Sequence, residues 1–250
     1  AHLRREALMA QPPKKPSASP FMLITAADPK SPASEAYRTL RTNVQFAGLD
    51  RPVRNIVITS ATPGEGKSTT LANFGVVVAH AGSRVCLIDS DLRHPSLHRF
   101  FGMNNEKGLV TALLEDLPIA KLAQPTRIPN LSVLTSGPPP PNPAELVGSQ
   151  RLHALLDAAA SDFDLILCDT PPVITVADGV ALAAQCDGVI LVVRAGAIPH
   201  EVVRRAVDQI EAVKGRILGV LLNRVDLRRD GYYHDYDRYY HAYYGSDKKR

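Results

Sequence analysis

An α/β fold is predicted by this sequence: a mainly parallel sheet covered by helices on both faces. Three observations carry it. Short runs rich in Val, Ile and Leu alternate with longer stretches of helical periodicity. The apolar runs are continuous, as in strands buried on both faces, and do not alternate with polar residues. Three of them run directly into a glycine-rich turn or an aspartate, which is where open α/β sheets place their chemistry. With 250 residues, 45% of them apolar and 22% charged, there is material for one well-buried domain plus tails.

Residues 1–20 hold four prolines, the basic residues Arg4, Arg5, Lys14 and Lys15, and little apolar periodicity. They read as an extended basic linker of the kind found beside a membrane on its cytoplasmic side, or as a plain flexible tail. The domain is expected over 21–227 and a separate tail over 228–250. From Ser34 to Gly48, Ala36, Tyr37, Leu40, Val44 and Ala47 recur at helical spacing, with Ser34 as N-cap and Gly48 as stop. Strands are predicted at Val53–Ser60, Arg84–Asp89, Leu131–Thr135, Phe163–Asp169, Gly188–Arg194 and Ile217–Asn223, and further helices at Lys67–Ala81, Ala144–Ser161, Val176–Ala184 and Pro199–Val213. Right-handed crossovers then bring the strands' carboxyl ends to one edge. Pro138–Pro141 reads as a stiff surface turn.

Composition excludes several classes. The net charge is +4 and no basic stripe runs through the body, so a dedicated nucleic-acid binder is not expected. The three cysteines, Cys86, Cys168 and Cys186, sit in or beside apolar stretches, which fits a reducing cytoplasm better than a disulfide scaffold. No run of eighteen apolar residues and no signal segment is present, so the chain as given is expected to be soluble.

The strand ending at Ser60 leads into Ala61-Thr62-Pro63-Gly64-Glu65-Gly66-Lys67-Ser68-Thr69 and then a helix, the context of a phosphate-binding loop. Gly64 and Gly66 let the backbone curl with its N–H groups inward. Lys67 reaches the outer phosphates and Ser68 can ligate Mg²⁺. Ala61 stands where the generic pattern has its first glycine. Two other strands end in carboxylates: Asp89-Ser-Asp91-Leu-Arg93 after one, and Asp169-Thr-Pro-Pro after the other. A lone strand-end aspartate can equally cap a helix. Three beside a phosphate loop suit metal binding and proton abstraction from an attacking hydroxyl.

Seven of the eight tyrosines, Tyr232, Tyr233, Tyr236, Tyr239, Tyr240, Tyr243 and Tyr244, lie in the last nineteen residues. No Ile, Leu or Val follows Leu227 to pack around them, so a flexible segment is expected, with a root-mean-square span of roughly 25 to 30 Å over twenty-five residues. Residues 226–250 carry six Lys or Arg and five Asp. Seven phosphates would add roughly −10 to −14 to that near-neutral balance. Together with a nucleotide site, the cluster points to a kinase that modifies itself.

These motifs resemble the three Walker motifs and the terminal tyrosine cluster of the bacterial tyrosine kinases (BY-kinases), in the deviant Walker branch of the P-loop NTPases. Glu35-Ala-Tyr-Arg38-Thr-Leu-Arg41 is similar to that family's self-association motif, and Pro140-Pro-Asn-Pro-Ala-Glu-Leu146 to its proline-rich turn. The resemblance implies ATP and Mg²⁺ as cofactors and Lys67, Asp89, Asp91, Arg93 and Asp169 as the catalytic set, with Asp89 as base. Ser68, Asp91 and Asp169 would support the metal. Thr62 to Thr69, Asn223 and Arg224 would hold the nucleotide, the last two because Asn223-Arg224-Val225-Asp226 lies where the base sits. It also implies a ring-shaped homo-oligomer formed through Glu35, Arg38 and Arg41, a transmembrane activator fused or separate, a resetting tyrosine phosphatase, polysaccharide-pathway enzymes as partners, and a place at the cytoplasmic face of the inner membrane. Chromosome-partitioning and septum-site ATPases share the superfamily but carry an extra lysine where this chain has Thr62. RNA stacking on the tail's tyrosines is a third reading, without a basic groove to support it.

Overall fold

A computed structural model describes residues 21–225. The expected basic linker and the tail with its seven tyrosines lie outside the described residues. In chain order the elements are α1 (Ile24–Ala27), α2 (Pro32–Ala47), β1 (Asn55–Ser60), α3 (Lys67–His80), β2 (Val85–Asp89), α4 (Leu97–Phe101), α5 (Leu109–Glu115), α6 (Ile119–Leu122), β3 (Gln124–Pro125), β4 (Leu131–Leu134), α7 (Pro143–Val147), α8 (Gln150–Ala159), β5 (Leu165–Asp169), α9 (Asp178–Ala183), β6 (Gly188–Arg194), α10 (His200–Ala212) and β7 (Ile217–Asn223).

The seven strands form one sheet in the order β3-β4-β2-β5-β1-β6-β7, parallel except for the β3–β4 pair. Every residue of β1, β2 and β5 is buried. Alternation along a strand then divides their side chains between two cores. Ile56 and Ile58 of β1 join Leu87 of β2 against α3, with Tyr37, Leu40 and Val44 of α2 packed outside. Val57, Cys86 and Ile88 face the opposite side, against α5, α8, α9 and α10. Register sets the functional edge: Ile58 pairs with Asp169 and Asp89 pairs with Asp169, so β1, β5 and β2 end side by side.

Two expectations need correction. Ser31, not Ser34, caps α2, its hydroxyl accepting from the Ser34 N–H at 3.2 Å with Pro32 opening the helix. The buried Ser34 hydroxyl instead donates to the Asp28 carbonyl at 2.7 Å. The single helix predicted over Ala144–Ser161 is two, α7 and α8, because α7 stops at Gly148 and Ser149 starts α8 by accepting from the Leu152 N–H at 3.2 Å. The short elements α1, α4, α5, α6 and β3 were not predicted. Among the described residues no helix is long and apolar enough to cross a membrane.

Candidate active site

The loop between β1 and α3 curls as its glycines allow. Gly64 has φ 81° and Gly66 φ 99°, left-handed values that a side chain makes costly. Gly66 caps α3, its carbonyl accepting from the Thr70 N–H at 2.8 Å, and the loop's backbone sits at the positive end of that helix. Thr62 and the exposed Pro63 open the loop, with the Thr62 carbonyl accepting from the Ser60 hydroxyl at 2.8 Å. Ser68 and Thr69, in the first turn of α3, lie on the wall of a cleft of about 590 Å³. Its other walls are Met22 and Ile24 from the amino-terminal segment, Tyr37 from α2, Asn73 from α3, and Asn223 and Arg224 at the end of β7.

Glu65, only 1% exposed, points away from this cleft. Its carboxylate accepts from the Thr62 N–H, the Thr62 hydroxyl at 2.9 Å and the Arg194 N–H at the end of β6 at 3.0 Å. It braces the loop from behind.

The carboxylates converge as expected. Lys67 Nζ lies 2.9 Å from Asp91 Oδ2 and 3.5 Å from Asp169 Oδ1, and 3.4 Å from the Ser68 hydroxyl. Burial works against its charge, but Asp169, Asp91 and Asp89 outweigh this and hold its pKa above the ordinary lysine value. Asp89 does two jobs at once. Oδ2 accepts from the Ser96 and Leu97 N–H groups, both at 2.8 Å, capping α4. Oδ1 is buried and makes no hydrogen bond among the described residues. Burial first, and the neighbouring Asp169 second, push the Asp89 carboxyl up to about 7. Asp169 is also raised by burial, against the pull of Lys67 and Ser68, and its Oδ2 is likewise unpartnered. Asp91 holds its own loop through Oδ1, which accepts from the His94 N–H at 3.0 Å. Arg93 turns to α9 and makes a forked pair with Asp178 at 2.8 and 3.1 Å, linking the Asp89–Asp91 loop to the segment that follows Asp169.

These donors fit Mg²⁺ in the mode it prefers, one or two carboxylates completed by water and phosphate oxygens. No three His, Cys, Asp or Glu side chains among the described residues form a closed cage for a metal. The unpartnered oxygen of Asp169, the Asp91 carboxylate and the Ser68 hydroxyl supply a partial set, the two carboxylates buried beside Lys67 and Ser68 on the wall of the cleft.

The family model described as ParA, the NUBPL iron-transfer P-loop NTPase, matches residues 52–237. Tyrosine-protein kinase YwqD of Bacillus subtilis is 42% identical over 220 residues, which cover 87% of this chain and 93% of that protein. The chain belongs to the bacterial tyrosine kinases. Solved structures agree with that placement. The kinase domain of the Escherichia coli tyrosine kinase ETK is 30% identical with a TM-score of 0.76, over 89% of this chain and 87% of that one. The chimerical protein CapA2B2 is 40% identical with a TM-score of 0.77, over 81% and 89%. This kinase is therefore a tyrosine-protein kinase on a P-loop NTPase fold, which implies nucleotide binding with Mg²⁺.

The kinase's three Glu/Arg residues on α2 sit away from the carboxylates. Arg38 pairs with Glu35 and donates to the Pro29 carbonyl, and Arg41 donates to the Val77 carbonyl near the end of α3 at 3.5 Å. Sequence reasoning missed Asp178, which holds Arg93, and the Thr25–Asn73 contact that ties α1 to α3, with the Thr25 N–H and hydroxyl each 3.0 Å from Asn73 Oδ1. The one available signal for Asn73 was a polar residue inside the apolar run from Leu71 to Ala79.

Proposed function

We propose that this kinase moves the γ-phosphoryl group of ATP to the tyrosines of its own carboxyl-terminal cluster, between chains of a homo-oligomer. The carrying observation is the buried Oδ1 of Asp89, unpartnered among the described residues, on the strand end that leads to Asp91 and pairs with Asp169, beside Lys67. In this reading the loop's N–H groups from Gly64 to Thr69 and the Lys67 ammonium hold the β- and γ-phosphates. The phenol oxygen attacks the γ-phosphorus, the bond from that phosphorus to the β–γ bridging oxygen breaks, ADP leaves, and the phenol proton passes to Asp89. Ser68, Asp91 and Asp169 would hold Mg²⁺, which when bound neutralises phosphate charge. Lys67 must leave the carboxylates to meet the phosphates, and Arg93 keeps the Asp89–Asp91 loop in register with α9. A base near neutrality is matched to this task, since it is largely ionised at pH 8 yet still accepts a proton.

Glu35, Arg38 and Arg41 are proposed to meet a second chain, bringing one chain's tail to another's site, and accumulated phosphate charge would then separate the chains. The setting proposed is the cytoplasmic face of the inner membrane, with a transmembrane activator, a tyrosine phosphatase and the enzymes of extracellular polysaccharide export as partners.

Intact mass after incubation with ATP and Mg²⁺ tests the reading. Steps of one phosphate each are expected in the full chain, and none in Lys67→Met or in a variant with all seven cluster tyrosines changed to Phe. Nucleotide hydrolysis without added mass would overturn the proposed modification of the chain's own tyrosines.

A further inference from the structure

The side chain of Asn223 lies across the phosphate loop with both its ends engaged. Its amide nitrogen donates to the Glu65 carbonyl at 2.8 Å, and its amide oxygen accepts from the Arg224 N–H at 2.9 Å. The approach is close enough that a Cβ on Gly66 would stand 2.1 Å from the Asn223 amide nitrogen. Gly66 is thus required twice, for its left-handed backbone and for the space Asn223 fills. The Asn223 backbone is fixed too, its carbonyl accepting from the Ala195 N–H just past β6 at 2.9 Å.

We propose that Asn223 is a positioning residue of the phosphate loop, acting on the phosphates through Glu65 and Gly66, and that it does not read the nucleotide base. With the Glu65 carboxylate bound to the Arg194 N–H, the loop is strapped at one residue by two strand ends, its carbonyl to β7 and its carboxylate to β6. Holding that carbonyl outward keeps the neighbouring N–H groups turned into the loop, so the cradle is set before a ligand arrives. The same amide caps Arg224, a non-glycine residue at φ 54°, and so sets the direction in which the chain leaves the sheet.

The inference rests on the reading of this loop as the site for ATP phosphates, and its test is separable from that reading. Inhibition by inorganic tripolyphosphate with Mg²⁺, a probe with no base, is measured beside the KM for ATP and the preference for ATP over GTP. Asn223→Ala is compared with wild type and with Asn223→Ala/Arg224→Gly, in which glycine accepts the left-handed turn without its cap. Both variants are expected to lose tripolyphosphate and ATP by the same factor, roughly five- to tenfold for one lost hydrogen bond, with the ATP-to-GTP preference unmoved. The proposal is overturned if ATP weakens while tripolyphosphate does not, if the base preference shifts, if neither ligand weakens, or if Arg224→Gly restores binding. If wild type adds no phosphate from ATP, the self-phosphorylation reading fails, while the tripolyphosphate comparison still reports on the loop.

Discussion

The centre of the sheet and its β7 edge place functional groups by different means. In β1, β2 and β5 every residue is buried, and Asp169 is paired in register on both sides, with Ile58 of β1 and with Asp89 of β2. Among the described residues β7 pairs only with β6, and its residues are intermediate or exposed, with Val220 51% and Leu222 62% accessible. At the centre, packing on two faces positions the carboxylates and also raises their pKa. At the edge, position comes from single hydrogen bonds, such as that of Asn223 to the loop. One mechanism over-determines geometry and the other leaves it adjustable one side chain at a time.

The contrast is broken most sharply at Asp89. Asp89→Asn should lower the initial rate of phosphoryl transfer by about 10²- to 10⁴-fold if Asp89 is the base proposed above. The same change should raise the thermal midpoint at pH 8. The folded protein holds the Asp89 proton more tightly than the unfolded chain, from an ordinary 3.8 up to about 7. Its contribution to stability is therefore full below about pH 4 and lost as pH rises through about 7, a loss that the neutral Asn avoids. Each 1 kcal/mol recovered would show as roughly 2–4 °C in a domain of this size.

Ile58→Ala, at the centre of β1, should cost about 2–5 kcal/mol in urea unfolding, since its neighbours on both strands and α3 cannot close the gap. Arg93→Ala should cost about 1–3 kcal/mol by leaving the buried Asp178 carboxylate without its partner. In wild type, kcat/KM should rise about tenfold from pH 6 to 8 with an apparent midpoint near 7, since Asp89, as the proposed base, accepts a proton only when ionised, and the rise should vanish in Asp89→Asn. Leu222→Ala, at the edge, should change stability by no more than about 0.5 kcal/mol. If Leu222→Ala cost as much as Ile58→Ala, the proposed difference between centre and edge would fail.

Strands were legible because two-faced burial writes continuous Val/Ile/Leu runs, and β6 and β7 were predicted to the residue. The phosphate loop and the three carboxylates were legible because spacing relative to a strand end is local information. What escaped was set by distant partners. α4 is a five-residue helix begun by the Asp89 carboxylate, so its start depends on a side chain from another element. Asp178 reads as an ordinary first-turn aspartate until the fold brings Arg93 to it across 85 residues. The inward turn of Glu65 was likewise invisible, because the Arg194 N–H that receives it lies 129 residues away.

Between Thr70 and Ala79, α3 has no solvent-facing side: every residue is buried, Gly75 has no room for a methyl group against Leu87 of β2, and Asn73 anchors α1. This helix also begins at Lys67. In most enzymes evolution can drift on the outer face of a helix while the catalytic end is kept. Here that freedom is missing, so in a saturation mutagenesis screen α3 should tolerate fewer substitutions than the amphipathic α10, whose buried residues are only Ala206 and Ile210. Many of those lost would be variants that never fold, their abundance falling together with their activity.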